Sequence, residues 1–228
     1  MTERTLPVVR SDRPGGSAFA VYAVLVRGVR LIMKGYLRIE IEGADRIPTS
    51  GGAILSPVHR SNIDFALPAV VSRRHVRWMA KDSIYVGGLI NRFLVAMGSF
   101  PVRRDTIDRR SLKLCLEVVA SGQLLVMFPE GRRREGDTIA EIFDGPAYVA
   151  CRERVPIVPM GIGGSSDAMP IGAKWIRPRR VVVLVGEPLY PDVPAQGRVP
   201  RESIAEISDQ LAVALQDLYD RARAQASR

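Results

Sequence analysis

The chain has 228 residues, 46% of them hydrophobic and 25% charged, a balance that excludes a disordered chain and allows one domain with a sizeable core. Lys and Arg number 33 against 24 Asp and Glu, for a formal net charge of +9, so a polyanionic partner is expected. Aromatic residues make up only 6% and are not interleaved with the basic ones, which sets nucleic acid aside in favour of an anionic membrane or a phosphorylated substrate.

In chain order, residues 1–16 are polar, with Pro7, Pro14 and a Gly pair, and are expected to form a loose arm. Residues 17–38 predict a helix: Tyr22, Val26, Val29, Met33 and Tyr36, with Phe19, recur at helical spacing, and Arg27, Arg30, Lys34 and Arg38 add cations. No acidic residue lies between Asp12 and Glu40. An amphipathic helix with only positive charges suits an anionic bilayer surface, where each Lys or Arg contributes about 1 kcal/mol; packing on the domain is the alternative. The apolar stretch Ala18–Val26 is too short to span a bilayer and does not read as a cleaved signal.

Short apolar runs then predict strands at Leu37–Ile41, Ala53–Val58, Val76–Met79, Leu124–Phe128, Ile157–Gly161 and Val181–Val185, with helical patterns near 63–72, 84–97, 107–121, 140–153 and 201–224. The alternation predicts an α/β fold, a central sheet of about seven strands flanked by helices. Residues 1–36 form the arm and amphipathic helix, and 37–228 a single domain. "RVVVLVG" lacks polar alternation, as central strands covered on both faces do. Cys115 and Cys151 have no zinc or disulfide spacing and read as buried free thiols in a reducing cytoplasm. His75 reads as a solvated residue before a strand.

The other histidine sits in "SPVHRSNIDF". His59 follows an apolar run, and Ser61 or Asn62 is placed to cap a helical turn that brings Asp64 back towards the imidazole. That order suits a general base oriented by a carboxylate, and imidazoles as a class titrate near about 6.5, close to neutrality. Further on, "GSFPVRRD", "VMFPEGRRR" and "VPIVPMGIGG" bring cations and exposed backbone to loop positions, the equipment for holding a phosphate.

In order and spacing these four stretches resemble the four blocks of the glycerolipid acyltransferases, the lysophosphatidic acid and glycerol-3-phosphate acyltransferase family, over roughly residues 35 to 190. The resemblance implies a catalytic His59 that deprotonates a glycerol hydroxyl for attack on an acyl thioester, with Asp64 orienting it. It implies that Arg103 holds the acceptor's phosphate, that Glu130 and Gly131 shape the acceptor pocket, that Arg133 is a second basic contact, and that Lys81 helps with the phosphate or the oxyanion. Arg132 and Arg134 depart from the usual Thr and Ser, and Val102 from a usual acidic residue, which leaves the acceptor's head group open.

The expected reaction needs no metal and no cofactor, acyl-CoA or acyl-carrier protein being a co-substrate and glycerol phosphate or a lysophospholipid the acceptor. With no Gly-x-Ser-x-Gly elbow and no activated cysteine, direct transfer is favoured over an acyl-enzyme. The expected place is the cytoplasmic face of the plasma membrane, peripheral or monotopic. Alternatives are a transacylase using a phospholipid donor, an enzyme acylating a glycosylated lipid, and a non-catalytic membrane-surface adaptor.

Overall fold

A computed structural model describes residues 16–102, 109–139, 141–194 and 196–228. The strands are β1 (Glu40–Glu42), β2 (Ala53–Pro57), β3 (Val76–Lys81), β4 (Ser99–Val102), β5 (Leu124–Val126), β6 (Ile157–Gly163) and β7 (Val182–Val185). They form one seven-stranded sheet in the order β1-β7-β6-β2-β5-β3-β4. The helices are α1 (Gly16–Leu37), α2 (Leu67–Val71), α3 (Gly88–Ala96), α4 (Arg109–Ala120), α5 (Gly145–Glu153), α6 (Ser165–Ala168) and α7 (Arg201–Ala226). The expected α/β class and strand number hold, and the arm expected over residues 1–16 lies, apart from Gly16, outside the described residues.

Strands β2 to β6 run parallel, whereas β7 is antiparallel to β6 and takes its parallel neighbour β1 with it. Every residue of β2 and β6 is buried, because helices cover both faces of the central strands. The register brings the carboxyl ends of the parallel strands to one edge: Pro57 lies opposite Met160, and Lys81 opposite Val102. The reversed strands bring their amino ends, Val182 and Glu40, to the same edge beside Gly163. Helix α1, ending at Leu37, therefore delivers its C-terminus to the edge where α/β sheets place their ligands.

Helix α7 lies directly on β6. A Cβ at Gly161 would run into the backbone of Leu218, and one at Gly163 into the carbonyl of Ala222. Glycine in a strand interior permits this closeness, while Leu211, Leu215 and Tyr219 seal the contact as buried residues. Cys115 on α4 and Cys151 on α5 are buried thiols outside any disulfide, as expected.

Three expectations need correction. The stretch "SFPV", expected at a loop position after the 84–97 helix, is strand β4; Pro101 is tolerated because β4 is the edge strand and needs fewer ladder donors. His75 is not solvated: its ring lies 4.0 Å from that of Tyr22, tilted by 49°. Burial, then the Arg77 charge, push its pKa down to about 4. Third, the apolar stripe of α1 is used inside the protein. Tyr22 and Met33 are buried and Val26 and Val29 partly so, with α1 packed on α2 and α3 and the Tyr22 hydroxyl accepting from the Val76 amide. Tyr36 alone of the described stripe stays exposed.

Candidate active site

His59 follows Val58, whose amide still bonds to the Met160 carbonyl of β6, so the imidazole stands at the carboxyl end of the central strand. The chain then turns at once. Ser61 caps a 3-10 turn over Asn62–Phe65, its hydroxyl accepting from the Ile63 amide, and the Asp64 carboxylate reaches back to form a capping box. Asp64 Oδ2 accepts from the backbone amides of Arg60 and Ser61, both at 2.6 Å, and faces His59 Nδ1 at 3.4 Å. The carboxylate is wholly buried and the imidazole 14% exposed. Phe128 supports the ring from one face, centroids 4.1 Å apart. Asp64 thus fixes Nδ1, and Nε2 has no hydrogen-bond partner among the described residues.

The loop after β5 comes up beside it. Phe128 to Gly131 form a turn closed by the Gly131 amide on the Phe128 carbonyl. Gly131 has φ of 66°, the left-handed region that favours glycine, and a Cβ there would displace the exposed Phe143 ring, which lies 2.7 Å from that position. Glu130 was expected to shape the acceptor pocket, but the structure gives it an interior position. It is fully buried, and Arg60 Nη1 donates to both its oxygens at 2.6 and 2.7 Å. Glu130 Oε1 also accepts from the His59 amide, and the Arg134 amide donates to the His59 carbonyl. The histidine backbone is therefore held from both sides by the 130–134 segment.

Arg60, which the sequence did not single out, is the hub of this arrangement. It is 2% exposed, donates through Nη2 to the Thr138 carbonyl, and lies 4.8 Å over the ring of Tyr219. Helix α7 grips the same loop: Gln216 accepts from the Ile139 amide and donates to the Asp137 carbonyl, and the Tyr219 hydroxyl donates to the Gly136 carbonyl. The position of Arg60 inside "HRSNID" was a signal, but its partner lies 70 residues away.

Lys81 closes β3 at the same edge, exposed and without a hydrogen bond or ion pair among the described residues. Arg133 is half-buried in the loop beside Gly131. The edge thus gathers His59, Asp64, Lys81, Gly131 and Arg133, with Glu130 beneath. Arg103 lies outside the described residues. Neither cysteine is suited to attack: both are buried, and burial raises the Cys151 pKa.

The model of the Acyltransferase family matches residues 38–163, more than half of the chain, and the chain belongs to that family. It is 27% identical over 161 residues to a chloroplastic 1-acyl-sn-glycerol-3-phosphate acyltransferase of Brassica napus, a match covering 68% of this chain and 46% of the relative. It is 22% identical over 171 residues to the 1-acyl-sn-glycerol-3-phosphate acyltransferase of Bacillus subtilis, covering 75% and 83%. The chain thus spans about half the length of its plant relative and most of the bacterial one. In fold it is similar to the crystal structure of the 1-acyl-sn-glycerophosphate acyltransferase of Thermotoga maritima, with a TM-score of 0.67, 19% identity, and coverage of 92% and 89% of the two chains.

Proposed function

We propose that the chain transfers a fatty acyl group from an acyl thioester, acyl-CoA or acyl-carrier protein, to a hydroxyl of 1-acylglycerol-3-phosphate or glycerol-3-phosphate. The observation that carries this reading is the His59 imidazole at the carboxyl end of the central strand, Nδ1 on a buried Asp64 and Nε2 left for substrate. The names of the relatives supply the acceptor class.

In this reading Nε2 takes the hydroxyl proton as the oxygen attacks the thioester carbonyl. Asp64 holds the tautomer and stabilises the imidazolium. The tetrahedral oxyanion collapses, the C–S bond breaks, and the imidazolium returns its proton to the departing thiolate. Lys81 and Arg133 are cations for the acceptor phosphate or the oxyanion, and Arg103 is assigned to the phosphate on its motif alone. No resident metal or cofactor is part of the proposal.

A bilayer surface belongs to it as well. No helix among the described residues is long and apolar enough to cross a membrane. Yet α1 exposes Val21, Val24, Leu31 and Ile32 with Arg27 and Lys34, and its neighbour α3 exposes Leu89 (79%), Ile90 and Phe93 with Arg92. Apolar side chains among cations, with no acid on either helix, suit peripheral attachment to an anionic leaflet.

Incubating purified protein with long-chain acyl-CoA and each acceptor, with free thiol followed beside product mass, tests the function. Stoichiometric thiol release with acylated lysophosphatidate is the expected result. Product without thiol would point to a phospholipid donor, and product only with a glycosylated lipid would overturn the acceptor assignment.

A further inference from the structure

The segment between β6 and β7 has no part in the chemistry described above, and it carries the most exposed aromatic residue of the described chain. Residues 168–177 form a closed loop: the Arg177 amide bonds to the Ala168 carbonyl and the Ala173 amide to the Pro170 carbonyl. Two side chains pin it, Ser61 of the His59 turn donating to the Met169 carbonyl at 2.7 Å and Tyr36 of α1 donating to the Ile176 carbonyl at 2.9 Å. From this braced base Trp175 projects with 82% of its surface exposed, flanked by the exposed Ile171 and Ile176.

Along the loop itself the charges are of one sign, the nearest acids, Asp167, Glu135 and Asp137, lining the pocket on its Ile171 side. No Asp or Glu occurs from Ala168 to Gly186, whereas Lys174, Arg177 and Arg179 are exposed and make no ion pair among the described residues. The loop also has a fixed relation to the rest of the molecule. It leaves the sheet after Gly163, at the edge where His59 stands and where α1 ends. Through Tyr36 it continues the outer apolar surface of α1, Leu31 and Ile32.

An exposed indole among unpaired cations is poorly matched to water and well matched to a lipid head-group layer, where its apolar body and N–H are both satisfied. A protein partner would need acidic groups placed opposite three separate cations, whereas an anionic leaflet supplies diffuse negative charge over the whole face. The geometry points to the 171–179 loop as a second membrane anchor, inserting Trp175 into the head-group region of an anionic bilayer beside α1, so that the edge bearing His59 faces the lipid. This rests on the membrane part of the proposed function and adds the residue that makes the contact and the orientation that results.

The chain has two tryptophans, which makes the test direct. Trp78 is 8% exposed and donates to the Phe65 carbonyl, so its emission should not respond to lipid. With vesicles of phosphatidylglycerol and phosphatidylcholine in equal parts, the wild type should show a blue shift and quenching by bromine-labelled acyl chains. Vesicles of phosphatidylcholine alone should give neither. Trp175→Phe should abolish the shift while the protein still sediments with the mixed vesicles. Trp175→Ala should weaken partitioning by about tenfold, and replacing Lys174, Arg177 and Arg179 by Gln by about fivefold per charge.

Sedimentation with vesicles while Trp175 emission stays unchanged would overturn the anchor. So would a shift that grows with protein concentration in lipid-free buffer, because a second copy would then cover the loop. Acyl transfer to detergent-dispersed acceptor is read separately: activity without the lipid-induced shift removes the anchor and keeps the enzyme, and a shift without activity does the reverse.

Discussion

The pair Arg60 and Glu130 ranks with His59 and Asp64 at the scale of single residues. A buried ion pair is weak evidence for stability as such, since losing both charges is often neutral while losing one costs about 3–5 kcal/mol. What this pair does is join the turn that carries His59 to the loop that carries Gly131. Arg60→Met alone leaves Glu130 buried and uncompensated, and should lower stability by about 3 kcal/mol and kcat with it. The double variant Arg60→Met with Glu130→Gln keeps an acceptor for the His59 amide and should recover most of the stability. If the pair positions the histidine, kcat stays low in the double variant while the acceptor KM holds; full recovery of kcat would make the pair structural only. Melting temperature and steady-state kinetics on the three proteins decide it. This role was not legible in the sequence, where "HRSNID" and "FPEGRRR" read as separate blocks and Glu130 as an acceptor contact; the ion pair between them exists only once β2 and β5 lie side by side.

Elements show the same division between what spacing reveals and what packing decides. The apolar runs that mark β2, β6 and β7 were plain, because strands covered on both faces show continuous hydrophobicity. Strand β4 was missed because four residues containing a proline carry too little pattern. For α1, periodicity found the stripe but not its partner, and the outer residues Leu31 and Ile32 became visible only after Tyr22 and Met33 were placed inside. Two predictions belong here. Gly163→Ala would press a methyl into the α7 backbone, costing about 1–3 kcal/mol. Because α7 also holds the 136–139 loop through Gln216 and Tyr219, kcat should fall further than the lost stability explains, which chemical unfolding and kinetics would show together.

The second concerns His75, under Tyr22 of α1 and beside Arg77, its pKa depressed to about 4 by burial and then by that arginine. The unfolded chain takes up this proton near about 6.5, so the contribution of the neutral ring is complete above that pH and is lost as pH falls towards 4, by at most roughly 3 kcal/mol. Unfolding free energies of wild type and His75→Phe should therefore converge or cross as the buffer is acidified over that range. A difference that does not depend on pH would contradict the buried neutral state.

For the whole molecule, the family match ends at residue 163, yet what lies beyond it reaches the candidate site: α7 braces the 136–139 loop and the 168–177 loop adjoins the His59 turn. The α/β class was legible from composition and alternation. The common edge was not, because it depends on β7 and β1 running against the other strands, which no local signal encodes. That reversal puts the C-terminus of α1, the Trp175 loop and His59 on one side, so under the proposed function a chain attached there would meet a lipid acceptor without the acceptor leaving the membrane.

The central claim is that His59 removes a proton from a glycerol hydroxyl of the phosphate-bearing acceptor during acyl transfer. Its most direct test is mass-spectrometric quantification of acylated product from wild type and His59→Ala, given acyl-CoA and lysophosphatidate, with circular dichroism confirming that both are folded. A folded His59→Ala protein slower by about a hundredfold or more is the predicted result. Equal product from the two proteins would contradict it, leaving the His59–Asp64 pair as a structural cap on a turn.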